Sequence, residues 1–232
     1  MAIRMMDAMD PRTEKALLAE TVQRKLQRHS WLFHEGDRTG DVYLVVSGLL
    51  KLMKTAADGG ESVLAIRGAG DVVGELSAID ARPRLVSAIT MTETSVLPIC
   101  RDRFVELMHE RTDLTLLLLA HLSAQLRSVA LHTLAISSGD ATALVARRLY
   151  QLASEAAFEP VRSQLRGAVV IDMPVSQREL ATWAGVSHRS AVGAIGQLRH
   201  DEIIATSRLK LQILDMAGLR SCAGSLVAID PR

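Results

Sequence analysis

The chain has 232 residues, 48% of them hydrophobic, and a formal net charge of +1. That length suits one large or two ordinary domains, and the apolar content is enough for true cores. Near-neutral charge excludes a polyelectrolyte mode of nucleic-acid binding, so any such binding needs a local patch. Aromatic residues are only 3% of the chain, which argues against a stacking platform for single strands. Cys100 and Cys222 are the only cysteines and have no metal-ligand spacing. No unbroken apolar run reaches ~18 residues, and MAIRMMDAMDPRTEK has no signal-peptide hydrophobic region, so a soluble cytoplasmic protein without a membrane partner is expected.

Residues 11–20, PRTEKALLAE, read as a short helix with Pro11 in its first turn. From Val22 to Ile99 short apolar runs alternate with Gly and Asp turns. Residues 42–46 make a strand ending at Ser47-Gly48, and 49–53 with 62–66 make a hairpin about residues 57–60, where glycine supplies positive φ at low cost. Residues 86–90 and 95–99 complete a series of short strands at regular turn spacing, which predicts a β-barrel or double-sheet jelly roll. A short helix over 102–111 follows.

Residues 113–136, DLTLLLLAHLSAQLRSVALHTLAI, hold nine Leu with no Pro or Gly. Leu119, Leu122, Leu126, Val129 and Ile136, with Thr133 among them, fall at alternating three- and four-residue steps, the seam of a two-stranded coiled coil. A second row, Leu117, Ala124 and Leu131 with Leu118 beside it, points elsewhere and would cover a domain surface. The stretch reads as a dimerisation helix between two domains, against the plainer alternative of a core helix. Residues 137–140, Ser-Ser-Gly-Asp, break the pattern as a hinge.

Residues 141–157 are again helical, with Val145, Leu149 and Leu152 as the apolar stripe; 158–166 read as a loop and 168–173 as a strand. Ser176 and Glu179 form a capping-box pair that opens a helix over 177–183. Gly185 ends it, and Ser187 caps a second helix over 188–200. Two short helices about a Gly turn predict a helix-turn-helix, and strands over 203–206 and 209–213 predict a β-wing. The first residues of the second helix, Ser187, His188, Arg189 and Ser190, would face base edges in a major groove. Arg189 could read guanine O6 and N7, and His188 could donate to either. Ser187 could give a phosphate its hydroxyl or the helix N-terminus. Residues 174–232 carry seven Lys and Arg against five Asp and Glu, so few phosphate contacts and a shallow salt dependence are expected.

Taken in order, these motifs resemble the Crp–Fnr family of bacterial transcription regulators. Gly36-Asp37 followed by Tyr43-Leu44-Val45-Val46-Ser47-Gly48 is similar to the family's first barrel motif. Gly70-Asp71-Val72-Val73-Gly74-Glu75-Leu76 followed by Arg82-Pro83-Arg84 is similar to its phosphate-binding cassette. The resemblance implies an α+β protein: an effector-binding jelly-roll domain over 11–112, a dimerisation helix over 113–136, a hinge at 137–140 and a winged helix-turn-helix domain over 141–232. It implies no enzyme, no catalytic residues and no metal. It implies double-stranded DNA and a second copy of the chain as partners, with RNA polymerase as a further one.

The resemblance also implies a cyclic nucleotide effector held by Gly74, Glu75, Leu76, Ser77, Arg84, Leu85 and Val86, with Arg127 and Gln125 near the pocket mouth. Glu75 is similar to the family's ribose-binding carboxylate and Arg84 to its phosphate-binding arginine. Ser176 and Arg178 sit where the family touches backbone phosphate. The chain departs from the cyclic AMP pattern at two places. Leu85 stands where Ser or Thr usually follows the arginine, and Val129 and Ala130 stand where hydroxyls usually face the adenine. Cyclic AMP is the first choice of effector; cyclic di-GMP, or no ligand at all in a constitutive DNA-binding dimer, is the alternative. In the recognition helix Gly193 replaces an expected arginine, which alters the implied operator; Gly193 and Gly196 are expected to permit close packing or to weaken specificity.

Overall fold

The computed structural model describes residues 21–55, 61–154, 161–162, 169–171, 176–207 and 210–224. The predicted helix at 11–20 and the hairpin turn at 57–60 lie outside the described residues, as does most of the predicted 158–166 loop.

Eight short strands build the first part of the chain: β1 (Arg24–Leu26), β2 (Trp31–Phe33), β3 (Val42–Ser47), β4 (Leu50–Thr55), β5 (Glu61–Arg67), β6 (Val72–Val73), β7 (Ser87–Thr90) and β8 (Thr94–Ile99). They pair in two antiparallel sheets, ordered β1-β8-β3-β6 and β2-β7-β4-β5. This is the expected jelly-roll form. The predicted 49–53 and 62–66 hairpin is the β4–β5 ladder, running from Leu50 opposite Arg67 to Thr55 opposite Glu61. Phe33, Tyr43, Val45, Leu50, Ala88 and Val96 meet between the sheets as one core. Strand β3 buries four successive residues because this core lies on one of its faces and a helical layer on the other, where Val42 and Leu44 pack.

That layer begins with α1 (Glu75–Asp80) and continues with α2 (Arg101–Glu110) and α3 (Thr112–Ser138). Ala78, Phe104, Leu107, Leu114 and Leu118 form its core with Leu97 and Ile99, and Leu117 and Leu122 pack beside them. Leu122 therefore belongs to the barrel-facing row, not to the seam assigned it from periodicity. Helix α3 also exposes Leu116, Leu119, Leu126, Val129 and Leu134 by 55–71%. By length and composition Thr112–Leu134, mean hydropathy 1.5, could also cross a membrane. Leu114 and Leu118 are 1% and 4% exposed against the barrel core, however, which takes one side of the helix away from any lipid. Arg127 in its second half is costly in hydrocarbon.

The contacts divide the chain into two units after Leu126, within α3. In the second unit Gly139, at φ 72°, and Asp140 alone separate α3 from α4 (Ala141–Ser154), and the Asp140 carboxylate accepts the Ala143 N–H at 3.0 Å. The predicted stripe Val145, Leu149 and Leu152 is buried. Strands β9 (Val161–Arg162) and β10 (Val169–Ile171), helices α5 (Gln177–Ala184) and α6 (His188–His200), strands β11 (Ile204–Ser207) and β12 (Lys210–Ile213), and α7 (Met216–Cys222) follow. The small sheet is ordered β11-β12-β10-β9, so the predicted wing is an antiparallel pair attached to a further hairpin. Trp183, Leu180, Leu198, Leu149 and Ile204 are essentially fully buried in this unit.

Candidate effector site and nucleic-acid interface

The effector cassette is organised by one backbone position. Gly74 caps α1 in the left-handed region, at φ 91° and ψ 4°, where a side chain is strained. A Cβ there would also collide with Arg84 Nη1, so the position needs glycine twice over. Arg84 is only 2% exposed. Its guanidinium donates to the Gly74 carbonyl at 2.9 Å and to the Asp41 carbonyl, and lies 4.3 Å over the Phe33 ring. Its Nε has no hydrogen-bond partner among the described residues. Burial lowers its pKa, against the charges of Tyr43, Asp41, Asp37 and Glu75.

Glu75 is the first residue of α1 and is 6% exposed. Desolvation raises its pKa; its own backbone N–H and the positive charges of Arg67, His121 and Arg84 oppose that rise. The structure thus gathers Gly74, Glu75 and Arg84 around one turn, but directs Arg84 to carbonyls rather than into a salt bridge with Glu75. The other cassette residues divide. Ser77 is buried, Val86 packs partly against the barrel core, and Leu76 and Leu85 are exposed by 45% and 58%. Arg127 is exposed on α3, in the second unit.

Sequence reasoning missed three neighbours. Phe33 and Asp41 hold the Arg84 side chain, and His121 is 4% exposed beside Glu75. Gln125 Nε2 lies 2.6 Å from His121 Nε2, so the polar partner from α3 reaches the barrel through these two residues. The only signal was their i, i+4 spacing on one helix face.

In the second unit the capping box is complete. Ser176 Oγ accepts the Glu179 N–H at 3.2 Å, and the Glu179 carboxylate accepts the Ser176 N–H at 2.8 Å. Gly185 ends α5 at φ 70°. A Cβ there would lie 2.9 Å from Ile136 Cδ1, so the helix-turn-helix corner packs against the last turns of α3. Ser187 caps α6, accepting the Ser190 N–H at 3.0 Å, and its hydroxyl also pairs with that of Ser190 at 2.8 Å. Much of the hydrogen-bonding capacity expected to meet phosphate is therefore used in the cap.

His188, Arg189 and Ser190 stand exposed on the first turn, while Ala191, Ala194, Ile195 and Leu198 bury the opposite face. Ser176 and Arg178 are exposed at the start of α5. Among the described residues nothing lies within 4 Å of a Cβ placed on Gly193 or Gly196, so these glycines serve no close packing there. Val192, 43% exposed one turn along, is an outward-facing apolar residue that the motif reading passed over.

A double-sheet barrel with a glycine-cornered phosphate cassette, followed in one chain by a helix-turn-helix with an exposed first turn, defines a DNA-binding transcription regulator. Two family models agree. A cyclic nucleotide-binding domain matches residues 23–111, and a Crp-like helix-turn-helix domain matches residues 145–222. The chain belongs to the Crp–Fnr family. It is similar to the CRP-like cAMP-activated global transcriptional regulator of Mycobacterium tuberculosis, 29% identical over 82% of this chain and 83% of that one. Among solved structures it resembles the c-di-GMP responsive global regulator CLP of Xanthomonas campestris, at 25% identity and a TM-score of 0.70 over 89% of this chain and all of that one. It shares its fold with FixK2 of Bradyrhizobium japonicum, at 19% identity and a TM-score of 0.72 over 87% and 96% of the two chains.

Proposed function

We propose that the protein is a cytoplasmic homodimeric regulator whose barrel domain, 11–112, takes a cyclic nucleotide at Gly74, Glu75 and Arg84. Leu76, Ser77, Leu85, Val86 and Arg127 border that site. Effector occupancy alters the packing of paired α3 helices, and the hinge at 137–140 passes the change to the winged helix-turn-helix domains. In each of these Ser187, His188, Arg189 and Ser190 meet bases, while Ser176 and Arg178 meet phosphates. RNA polymerase is the further partner that the family resemblance implies.

The observation that carries the effector reading is Arg84, a buried guanidinium with a free Nε at the corner of a phosphate-cassette turn. Exposed Leu116, Leu119, Leu126 and Val129 support the dimer, because a lone chain would leave a long apolar stripe in water. Two half-sites about 34 Å apart then match the two recognition helices. Cyclic AMP is the first candidate; one similar protein is named as cAMP-activated and another as c-di-GMP responsive, so cyclic di-GMP is the second.

A second reading has its own support. Arg84 is already bonded to Gly74 and Asp41, and Leu85 offers the phosphate no hydroxyl. On that reading the dimer binds DNA without an effector. Calorimetric titration with cyclic AMP, cyclic GMP and cyclic di-GMP, paired with selection from a genomic DNA library with and without each, separates the two. Saturable heat that sharpens the selected motif supports the effector reading. No heat, with one unchanged motif in every condition, supports the constitutive one.

A further inference from the structure

A cavity of about 300 Å³ in the barrel unit is lined by Arg38, Thr39, Ser77, Arg82 and Arg101, with Ala81 and Pro83 as its apolar wall. Neither Glu75 nor Arg84 lines it. Three arginines line one concavity, and no acidic residue is on its wall among the described residues.

The chain builds this arrangement deliberately. Ala81 ends α1 in the left-handed region at φ 56°, a conformation that costs a residue with a Cβ about 1–2 kcal/mol. That turn carries Arg82 and Pro83 onto the rim. Arg101 opens α2, and its Nε donates to the Ala78 carbonyl at 3.0 Å, which fixes the side chain across the end of α1. Its stem lies against Gly40, where a Cβ would stand 2.8 Å from Arg101 Cδ. Backbone strain combined with a pinned cation is the pattern of a binding site more than of a solvated surface.

Two of the three arginines carry a long ion pair to an acid outside the lining: Asp80 to Arg82 Nε and Asp102 to Arg101 Nη1, each at 3.8 Å and each open to solvent. The other Asp80 oxygen is engaged by the Arg82 backbone N–H at 3.0 Å. Arg38 has no hydrogen bond or ion pair among the described residues. The Thr39 and Ser77 hydroxyls likewise have none among them.

We propose that this cavity, which shares Ser77, Arg82 and Pro83 with the cassette but neither Glu75 nor Arg84, is a second effector site for a small molecule bearing a phosphoryl group. Guanidinium forks match phosphate oxygens two at a time, and two hydroxyls beside them supply neutral donors. The volume is at the small end of small-molecule sites, which suits a ligand no larger than a mononucleotide. Such a ligand would bridge the β2–β3 loop, α1 and the first turn of α2, and so clamp α1 to α2. This inference does not depend on the barrel binding a cyclic nucleotide.

The test uses the full chain and inorganic pyrophosphate, titrated by calorimetry at low ionic strength, with inorganic phosphate and cyclic AMP in parallel. Arg38→Ala and Arg82→Ala change exposed side chains that hold no core contact, and Arg28→Ala, an exposed arginine elsewhere on the barrel, controls for lost charge. Pyrophosphate is expected to bind saturably, one per chain, with at least tenfold weaker affinity in the Arg38 and Arg82 variants. The Arg28 variant is expected to stay within twofold of the parent. Absence of saturable binding, or equal losses in all three variants, overturns the proposal. So does displacement of pyrophosphate by cyclic AMP in direct competition, since that places both in one site.

Discussion

Acidification should loosen the second unit through a single histidine. His132 on α3 is half-buried, its Nδ1 has no hydrogen-bond partner among the described residues, and Gly185 of the helix-turn-helix corner packs near its ring. Desolvation, and then the positive charges of Arg148 and Arg147, lower its pKa from 6.5 to about 4. The unfolded chain takes its proton near 6.5 and the folded chain only near 4, so between these values the unfolded state binds more protons. The neutral histidine's contribution is intact above pH 6.5, falls as pH drops, and is fully lost below about 4. At 1.36 kcal/mol for each tenfold change, the ceiling is about 3.4 kcal/mol, of which about 2 kcal/mol falls before pH 5.0. Solvent screening at a half-exposed ring reduces the loss at pH 5.0 to about 1 kcal/mol. Urea unfolding followed by the fluorescence of buried Trp183, at pH 7.5 and 5.0, measures it. The parent should lose about 1 kcal/mol more than His132→Gln over that interval, while other acids cancel between the two. Equal losses in parent and variant would refute the assignment.

Three further outcomes follow from the same geometry. Gly185→Ala should cost about 1–2 kcal/mol in urea unfolding, from its left-handed backbone alone, and more once the clash with Ile136 is added. Leu126→Glu, at a side chain 71% exposed, should convert a dimer to monomers in sedimentation velocity while leaving circular dichroism unchanged. Arg189→Ala should cost about 1–3 kcal/mol of specific operator affinity in fluorescence anisotropy and leave non-specific binding nearly as it was; an unchanged sequence preference would contradict the placement of α6 in the groove.

Much of the fold could be read from the chain because its signals are local. Strand β3 and the β4–β5 hairpin follow from apolar runs between glycine turns, and the start of α5 follows from Ser176 and Glu179 standing three apart. Helix α1 was missed because six residues are too few to show a period. The two faces of α3 were partly confused because both are leucine-rich. Periodicity separates the rows but does not say which row meets the barrel, and Leu122 was assigned to the wrong one. At the site, Glu75 and Arg84 could be picked out only through a family resemblance. The direction of Arg84 is set by Phe33 and Asp41, more than forty residues away in sequence, and no local pattern carries such information.

That direction sets a condition on any effector of the cassette. A phosphate that engages Arg84 must take it from the Gly74 and Asp41 carbonyls, or add to them through the free Nε. Charged hydrogen bonds contribute about 1.5–3 kcal/mol each, and the cation–π contact with Phe33 adds about 0.5–2 kcal/mol. An effector offering one phosphodiester therefore gains little from Arg84 unless the exchange brings new contacts, and Leu85 provides none through a hydroxyl. On the proposed cyclic nucleotide reading the gain comes from Glu75, whose carboxyl is already desolvated and so loses little further water on taking up a ribose hydroxyl. Releasing the Gly74 carbonyl frees the cap of α1, and α1 packs on α2, which leads directly into α3. A ligand that binds only with Arg84 displaced favours the arrangement in which α1 has moved, and that difference in affinity is the whole of its power to switch the protein.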